Sequence, residues 1–161
     1  MKPLLAHARQ RWGLTADTGE RSAALQALAA RHGTPLYLYS GPLIDQQVAA
    51  LRAELPATLA LLYAVKANPH PDVLARLARQ VDGCDVTSSA EMRLAQQAGV
   101  AGEALSLAGP GKTNEELATA LAANALVVLE SLGEARRLAA LASHTATRTA
   151  SRRPRVALRL N

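Results

Sequence analysis

The strongest constraint on this sequence is a regular alternation of short apolar segments with amphipathic segments of helical period. The repeat is roughly 22 residues long, which suits a barrel as well as an open sheet. Apolar strands that alternate with amphipathic helices form βαβ units and a parallel sheet covered on both faces. The predicted strands are residues 58–67, 83–88, 104–109, 125–130 and 155–161, and the predicted helices are 71–80, 90–98, 114–123 and 132–142.

The segment before this repeat has a different organisation. Residues 1–17 have the composition of a loose leader. The pattern then predicts a helix over 18–32 with Gly33 as its C-cap, a short strand over 35–40, and an amphipathic helix over 42–54.

Composition excludes several classes of protein. The 161 residues suit one domain, no apolar run is long enough to span a bilayer, and the start is too polar for a secretory signal. Cys84 is the only cysteine, which indicates a cytoplasmic setting. The net charge of +5 arises after residue 142, largely in a predicted loop over 143–154, and aromatic residues are 2% of the chain. We therefore expect neither nucleic-acid nor membrane binding.

Polar residues follow each predicted strand, at the end where α/β barrels place their active sites. Lys66 is the strongest candidate among them for a functional role, because a lysine in an apolar strand must cover its ammonium group or lose the proton. Period two places Lys66 on the face of Leu62 and Ala64. A desolvated lysine is suited to Schiff-base chemistry. The alternative is a lysine that snorkels to solvent at a strand end.

Two acidic residues come next along the chain. Asp85 lies near the end of the second predicted strand, where it either faces a site or begins the following helix. Glu91 lies three residues after Ser88, a spacing that favours a helix capping box over a site role.

Three further features favour ordinary structural roles. The segment GPGKT (109–113) resembles the end of a phosphate loop, but Ser106 occupies a position where that motif has glycine. We interpret the segment as a tight strand-to-helix turn. The four histidines are scattered without metal-ligand spacing, and His70 is more easily explained as a loop residue than as a site residue. Cys84 is expected to be a small buried hydrophobe.

Several segments together resemble the barrel domain of the pyridoxal-phosphate-dependent decarboxylases that act on ornithine, diaminopimelate and arginine (fold type III, group IV). The matching segments are YAVKANP, VDGCDVTSSAEM, AGVAGEALSLAGPGKTNEEL, VLES and VALRLN. The sequences of these segments are most similar to those of the diaminopimelate decarboxylases. A third group, the alanine-racemase-like relatives, shares the barrel and the lysine, but the AGPGK and VDGxDV segments argue against membership of that group. The resemblance implies the amino-terminal part of an alanine-racemase-like (β/α)8 TIM barrel over 25–161, after a leader over 1–24.

The resemblance also implies roles for particular residues. Lys66 would form a Schiff base with pyridoxal 5'-phosphate, and Ala64 would leave room for the cofactor ring. Asp85 and Glu91 match acidic positions that line the cofactor pocket, and Arg159 matches an arginine near the cofactor. A small amino acid would then lose its α-carboxylate through a quinonoid. No metal is implied, and full-length members of the family are expected to be homodimers.

The sequence departs from the family by the parts it does not contain. About five barrel strands are predicted, and the histidine that stacks on the ring, the glycine-rich phosphate loop and the carboxyl-terminal β-domain have no counterpart. We therefore expect a truncated barrel that is weak or inactive alone. The alternative is a non-catalytic module of the same fold that binds cofactor or a partner protein.

Overall fold

The structure is a computed structural model that describes residues 19–146 and 153–160. The chain divides after Ile44 into two compact units. The predicted leader, residues 1–24, falls largely outside the described residues, so its boundary stays a prediction. No helix in the described ranges is both long enough and apolar enough to cross a membrane.

The first unit confirms a predicted helix and corrects a predicted strand. Helix α1 (Gly19–His32) ends at Gly33, whose φ of +80° is left-handed and whose N–H donates to the Ala29 carbonyl over 2.8 Å. Residues 35–40 form no strand. A strand needs a neighbour for its backbone groups, and Tyr37, 91% exposed, shows that this segment lies open. Helix α2 (Gly41–Glu54) follows, close to its predicted bounds.

The second unit contains a parallel sheet of five strands in the order β1-β2-β3-β4-β5. The strands are β1 (Leu62–Ala64), β2 (Gly83–Val86), β3 (Leu105–Leu107), β4 (Leu126–Leu129) and β5 (Arg155–Leu158). Every strand pairs with the next one in sequence. A doubly wound sheet reverses its strand order at a switch point, whereas this order never reverses and is that of a (β/α)8 barrel wall.

The helices of this unit follow the strands as the repeat predicts. They are α3 (Pro71–Ala78), α4 (Ser89–Gln97), α5 (Asn114–Ala122) and α6 (Leu132–Ala146). Helix α6 continues beyond its predicted end into the segment expected to be a loop. The Ser143 hydroxyl donates to the Ala139 carbonyl over 2.9 Å, so a residue counted as loop-like is accommodated within the last turns. Residues 147–152 of the predicted loop lie outside the described residues.

Strand β1 is much shorter than the apolar run that predicts it. Only Leu62–Ala64 pair with β2, and Val65–Ala67 form a 3-10 turn. Before the strand, the Leu61 backbone exchanges hydrogen bonds with Asp82: its N–H donates to the carboxylate over 2.6 Å and its carbonyl accepts from the Asp82 N–H over 2.9 Å. The predicted sharing of one strand face by Leu62, Ala64 and Lys66 is therefore wrong, because Lys66 lies in the turn.

The core lies between the sheet and the helices and is built mainly from Leu, Val and Ala. Its buried members include Val65, Leu74, Cys84, Val86, Met92, Leu105, Leu107, Leu117, Val127 and Leu138. Cys84 is fully buried, as expected for a small hydrophobe. Burial, with a smaller contribution from the neighbouring Asp85, raises the pKa of its thiol.

The amino ends of the strands are joined mainly through backbone atoms. A Cβ at Gly83 would lie 2.0 Å from the Ala104 carbonyl oxygen, and one at Gly102 would lie 2.1 Å from that of Ala123. Only glycine allows such an approach. The Arg155 guanidinium, at the start of β5, also donates to the backbone carbonyls of Glu103 and Asn124. Neighbouring βα units are thus held together at the amino ends of the strands.

Candidate functional site

The turn that carries Lys66 is held in place by its neighbours. Val65 is fully buried and anchors the turn in the core. Beyond it, the Tyr63 hydroxyl donates to the Asn68 carbonyl over 3.0 Å, closing the loop that follows β1. The Lys66 side chain itself is exposed at the carboxyl end of the strand. The structure therefore presents an accessible primary amine on an anchored turn.

This exposure corrects the expected burial of Lys66. The prediction required an ammonium group desolvated inside an apolar strand, but the lysine lies outside the strand, among residues that leave it open to solvent. Accessibility satisfies one requirement of a nucleophile. Desolvation, the other feature expected from the sequence, is not supplied by the described residues.

His70, in the loop after Lys66, has a structural role. Its backbone N–H donates to the Asn68 side-chain oxygen over 3.0 Å, and its Nδ1 accepts from the Asp72 N–H over 3.3 Å. His70 is thereby the N-cap of α3. This agrees with the prediction that it is a loop residue.

Asp85 lies within β2 and not at the start of a helix. It pairs in register with Ala64 of β1 and with Ser106 of β3, and helix α4 begins only at Ser89. Its side chain is half-buried. The interpretation of Asp85 as a helix-start residue is therefore wrong, and its strand position places a carboxylate beside the end of β1.

Glu91 takes part in the cap of α4, as the capping pattern predicts, with Ser88 as the N-cap residue. The Ser88 hydroxyl accepts from the Glu91 N–H over 3.2 Å. The Glu91 carboxylate accepts from the backbone N–H and the hydroxyl of Thr87, over 2.7 and 3.0 Å. It thus reaches one residue farther back than an ordinary capping box. Glu91 holds the β2–α4 loop in shape, and its predicted contact with cofactor stays a prediction.

Arg159 lies just after β5 and forms an ion pair with Glu130 at the end of β4. The closest nitrogen and oxygen are 3.7 Å apart, and the side chains are 55% and 13% exposed. The same Glu130 oxygen accepts from the Gly109 N–H over 2.8 Å. The carboxyl ends of β3, β4 and β5 therefore meet around Glu130, a residue that the sequence marked only as polar.

Lys112 is buried in an ion pair that the sequence did not predict. Its Nζ lies 3.2 Å from both carboxylate oxygens of Glu134, and the two side chains are 1% and 2% exposed. Nζ also donates to the Gly109 carbonyl over 2.7 Å. Lysine is rare in the sequence, which singles Lys112 out, but no local pattern links it to Glu134, which lies 22 residues farther along the chain. Burial acts to raise the pKa of Glu134, but hydrogen bonds from the Glu130 N–H and Lys112 outweigh it and lower that pKa.

The GPGKT segment is a structural turn, as interpreted from the sequence. Gly109 and Gly111 have positive φ values of +113° and +76°. Thr113 caps α5 in a full capping box with Glu116. Because Lys112 is turned inward to Glu134, the motif offers no lysine to a nucleoside triphosphate.

Three helices begin with the same arrangement of Ser or Thr followed three residues later by Glu. The hydroxyls of Ser88, Thr113 and Ser131 accept from the N–H groups of Glu91, Glu116 and Glu134, each over 3.2 Å. Each of these carboxylates also accepts a backbone N–H near the helix start. Helices α4, α5 and α6 therefore each begin with a hydroxyl cap and a carboxylate that fixes the residues before the helix.

Comparison with known proteins gives a consistent picture. The family model described as "Pyridoxal-dependent decarboxylase, pyridoxal binding domain" matches residues 42–161. The diaminopimelate decarboxylase of Zymomonas mobilis is 34% identical over 142 residues, which are 85% of this chain and 32% of that protein. The diaminopimelate decarboxylase of Aquifex aeolicus is 41% identical over 98 residues, or 61% of this chain and 23% of that protein.

A solved structure agrees with these sequence matches. The diaminopimelate decarboxylase of Helicobacter pylori, complexed with L-lysine, superposes with a TM-score of 0.77 at 28% identity, over 85% of this chain and 34% of that one. The five parallel strands thus correspond to the amino-terminal portion of the barrel, which confirms the predicted fold class. The chain spans about a third of the length of these relatives.

Proposed function

Because the chain belongs to the family of pyridoxal-dependent decarboxylases, we propose that it supplies the cofactor-bearing lysine of an amino-acid decarboxylase. The observation that carries the proposal is the exposed Lys66 amine on its anchored turn, two residues after Ala64, which pairs in register with Asp85 of the next strand. The substrate class that we propose is diaminopimelate, by similarity to the relatives named above.

The residues at the carboxyl ends fit pyridoxal 5'-phosphate. The cofactor has an aldehyde that condenses with a primary amine with loss of water, and a ring that withdraws electrons from the α-carbon of a bound amino acid. Lys66 offers the amine, and Ala64, with a side chain of one methyl group, leaves space before it. Asp85 and Arg159 place one negative and one positive group at the same end of the sheet.

Each proposed site residue has a distinct task. Lys66 would hold the cofactor through Nζ, and the same nitrogen could carry a proton when it is free. Asp85, on the strand next to β1, would line the cofactor pocket. Glu91 acts through Thr87 by fixing the loop after β2, and Arg159 attracts negative charge.

Labelling of Lys66 tests the proposal directly. The protein is incubated with pyridoxal 5'-phosphate, reduced with borohydride and mapped by mass spectrometry. We expect the label on Lys66, and Lys112 serves as an internal control because its Nζ is buried and paired. Lys66→Arg keeps the positive charge but should abolish the label. Labelling of Lys112 in preference to Lys66 would show that the assignment of the nucleophile is wrong.

Release of carbon dioxide distinguishes enzyme from binding module. Diaminopimelate, ornithine and lysine are offered separately, and each is compared with the Lys66→Arg variant. Release from diaminopimelate supports the proposed activity. Labelling at Lys66 without release from any of the three supports the alternative, a module that binds cofactor without catalysis.

We extend the proposal to the setting of the protein. A cytoplasmic location is supported by the single, buried Cys84, which excludes a disulfide within the chain. A homodimer is proposed from the family resemblance, and no nucleic-acid partner is expected. Sedimentation velocity and cell fractionation test these points, and a monomer at all concentrations would contradict the proposed dimer.

A further inference from the structure

Glu130, Gly109, Lys112 and Glu134 form a closed circuit of hydrogen bonds at the carboxyl end of the sheet. The Gly109 N–H donates to the Glu130 carboxylate, and the Gly109 carbonyl accepts from Lys112. Lys112 is paired with Glu134, whose Oε2 accepts from the Glu130 N–H over 2.9 Å. The circuit returns to the residue where it began. It therefore locks the loop after β3 to the loop after β4.

The circuit fixes Glu130 from two sides. Its backbone is held by Glu134, at the start of α6, and its side chain is held by Gly109. The inner members of the circuit, Lys112 and Glu134, are almost completely buried. A buried, fully partnered network resists rearrangement, because any displaced member leaves an unpaired charge behind it.

The position thus fixed faces Arg159. The Glu130 oxygen that accepts from Gly109 is also the one that lies 3.7 Å from the Arg159 guanidinium. Glu130 is mostly buried, whereas Arg159 is more than half exposed. The carboxylate of Glu130, which is held on two sides, therefore fixes a position toward which the exposed guanidinium of Arg159 is attracted.

We propose that Glu130 is a positioning residue that holds Arg159 toward the cofactor, with the buried Lys112–Glu134 pair as its support. This inference rests on the proposed function, because it needs a cofactor at the carboxyl ends. It extends that function by naming a residue that acts through another side chain and by giving the buried pair a task beyond stability.

Glu130→Gln is the informative variant, because the amide oxygen can still accept from Gly109 while the charge that attracts Arg159 is lost. We expect affinity for pyridoxal 5'-phosphate, titrated by the visible absorbance of the lysine adduct, to fall roughly two- to fivefold, as suits a half-exposed ion pair. The urea midpoint should stay close to that of the parent. Glu103→Gln makes the same chemical change at the amino end and should leave the affinity unchanged.

A double-mutant cycle separates positioning from a merely structural role. In an Arg159→Ala background, Glu130→Gln should produce no further loss of affinity. Equal losses in the two backgrounds would overturn the proposal. If the parent chain is not labelled at Lys66, the proposed function fails. If it is labelled and Glu130→Gln has full affinity, only the present inference fails.

Nuclear magnetic resonance of the chain without cofactor gives an independent readout. In Glu130→Gln the Gly109 amide should keep its protection from hydrogen exchange, while the guanidinium signals of Arg159 should shift and exchange faster. Unchanged Arg159 signals would overturn the inference whatever the cofactor titration shows. Loss of Gly109 protection would also overturn it, because the variant would then have disturbed the loop and not the ion pair alone.

Discussion

The two ends of the parallel sheet are built by different means. At the amino ends, Gly83 and Gly102 bring neighbouring units into backbone contact, and Arg155 binds two backbone carbonyls. At the carboxyl ends, the interactions run through side chains, and Lys66 and Arg159 remain exposed. The difference teaches that backbone contacts can join neighbouring units at one end of the sheet and leave the other end free to present side chains. This is the division expected of a barrel enzyme.

The buried Lys112–Glu134 pair is the exception, since it contributes cohesion at the carboxyl ends. Breaking it should give the largest effect. We expect Glu134→Leu to lower the free energy of unfolding by about 3–5 kcal/mol, because Lys112 is left buried without its partner. Chemical denaturation measures this loss. Lys112→Met with Glu134→Leu should recover much of it, and a double variant as unstable as the single one would contradict this explanation.

The amino end is tested by Gly83→Ala. The added methyl would lie 2.0 Å from a backbone oxygen that cannot rotate away. We expect a loss of about 1–3 kcal/mol in the free energy of unfolding, measured by urea titration. Labelling of Lys66 in the folded fraction should be unchanged. Gly99→Ala is a useful contrast, because its Cβ meets nothing within 4 Å and only its positive φ of +93° opposes the substitution. A milder effect at Gly83 than at Gly99 would contradict the close-contact argument.

The helix caps should have smaller effects. Ser88→Ala removes the acceptor for the Glu91 N–H, and we expect a loss of about 1 kcal/mol in the free energy of unfolding. Ser88→Thr is the matched control, because it keeps a hydroxyl and should retain most of the stability. Both variants are compared by thermal unfolding. Equal losses for Ala and Thr would show that the hydroxyl is not the stabilising group.

Acid stability gives the smallest and most specific test. Because the pKa of Glu134 is lowered in the folded state, the unfolded state binds more protons around and below about pH 4.3, the ordinary value for glutamate. The stabilisation is therefore present above that value and is lost as pH falls through the lowered pKa. The Lys112→Met, Glu134→Leu double variant should lose less stability than the parent over this range. Identical acid slopes in urea titrations would contradict the assignment.

The elements that the sequence predicted well are those decided by local pattern. Amphipathic periodicity placed helices α3 to α6, and the Ser88–Glu91 spacing predicted a cap that is present. The length of β1 was overestimated because an apolar run does not reveal where pairing stops. The apolar residues of segment 35–40 likewise predict a strand, but they do not show whether another strand is available to pair with it, and the segment forms none.

The sequence places the candidate site at the carboxyl ends of the strands, which stays a prediction, but it does not reveal the environment of the residues there. Residues at the carboxyl ends could be identified because strand and helix alternate along the chain. The exposure of Lys66 depends on what packs around a turn, and that is a tertiary property. The pairing of Lys112 with Glu134 joins two loops that only the fold brings together.

The capped helix starts limit where the phosphate group of a cofactor could bind. A phosphate monoester commonly binds at the start of a helix, where N–H groups and the helix dipole attract it. At α4, α5 and α6 one such N–H, that of Glu91, Glu116 or Glu134, already donates to a Ser or Thr hydroxyl, and the carboxylate of the same glutamate lies at the helix start. A carboxylate at each of these helix starts repels a second anion, so the three starts are poorly suited to a phosphate. By this reasoning, the phosphate of a cofactor bound at this end of the sheet would need contacts other than these three helix starts.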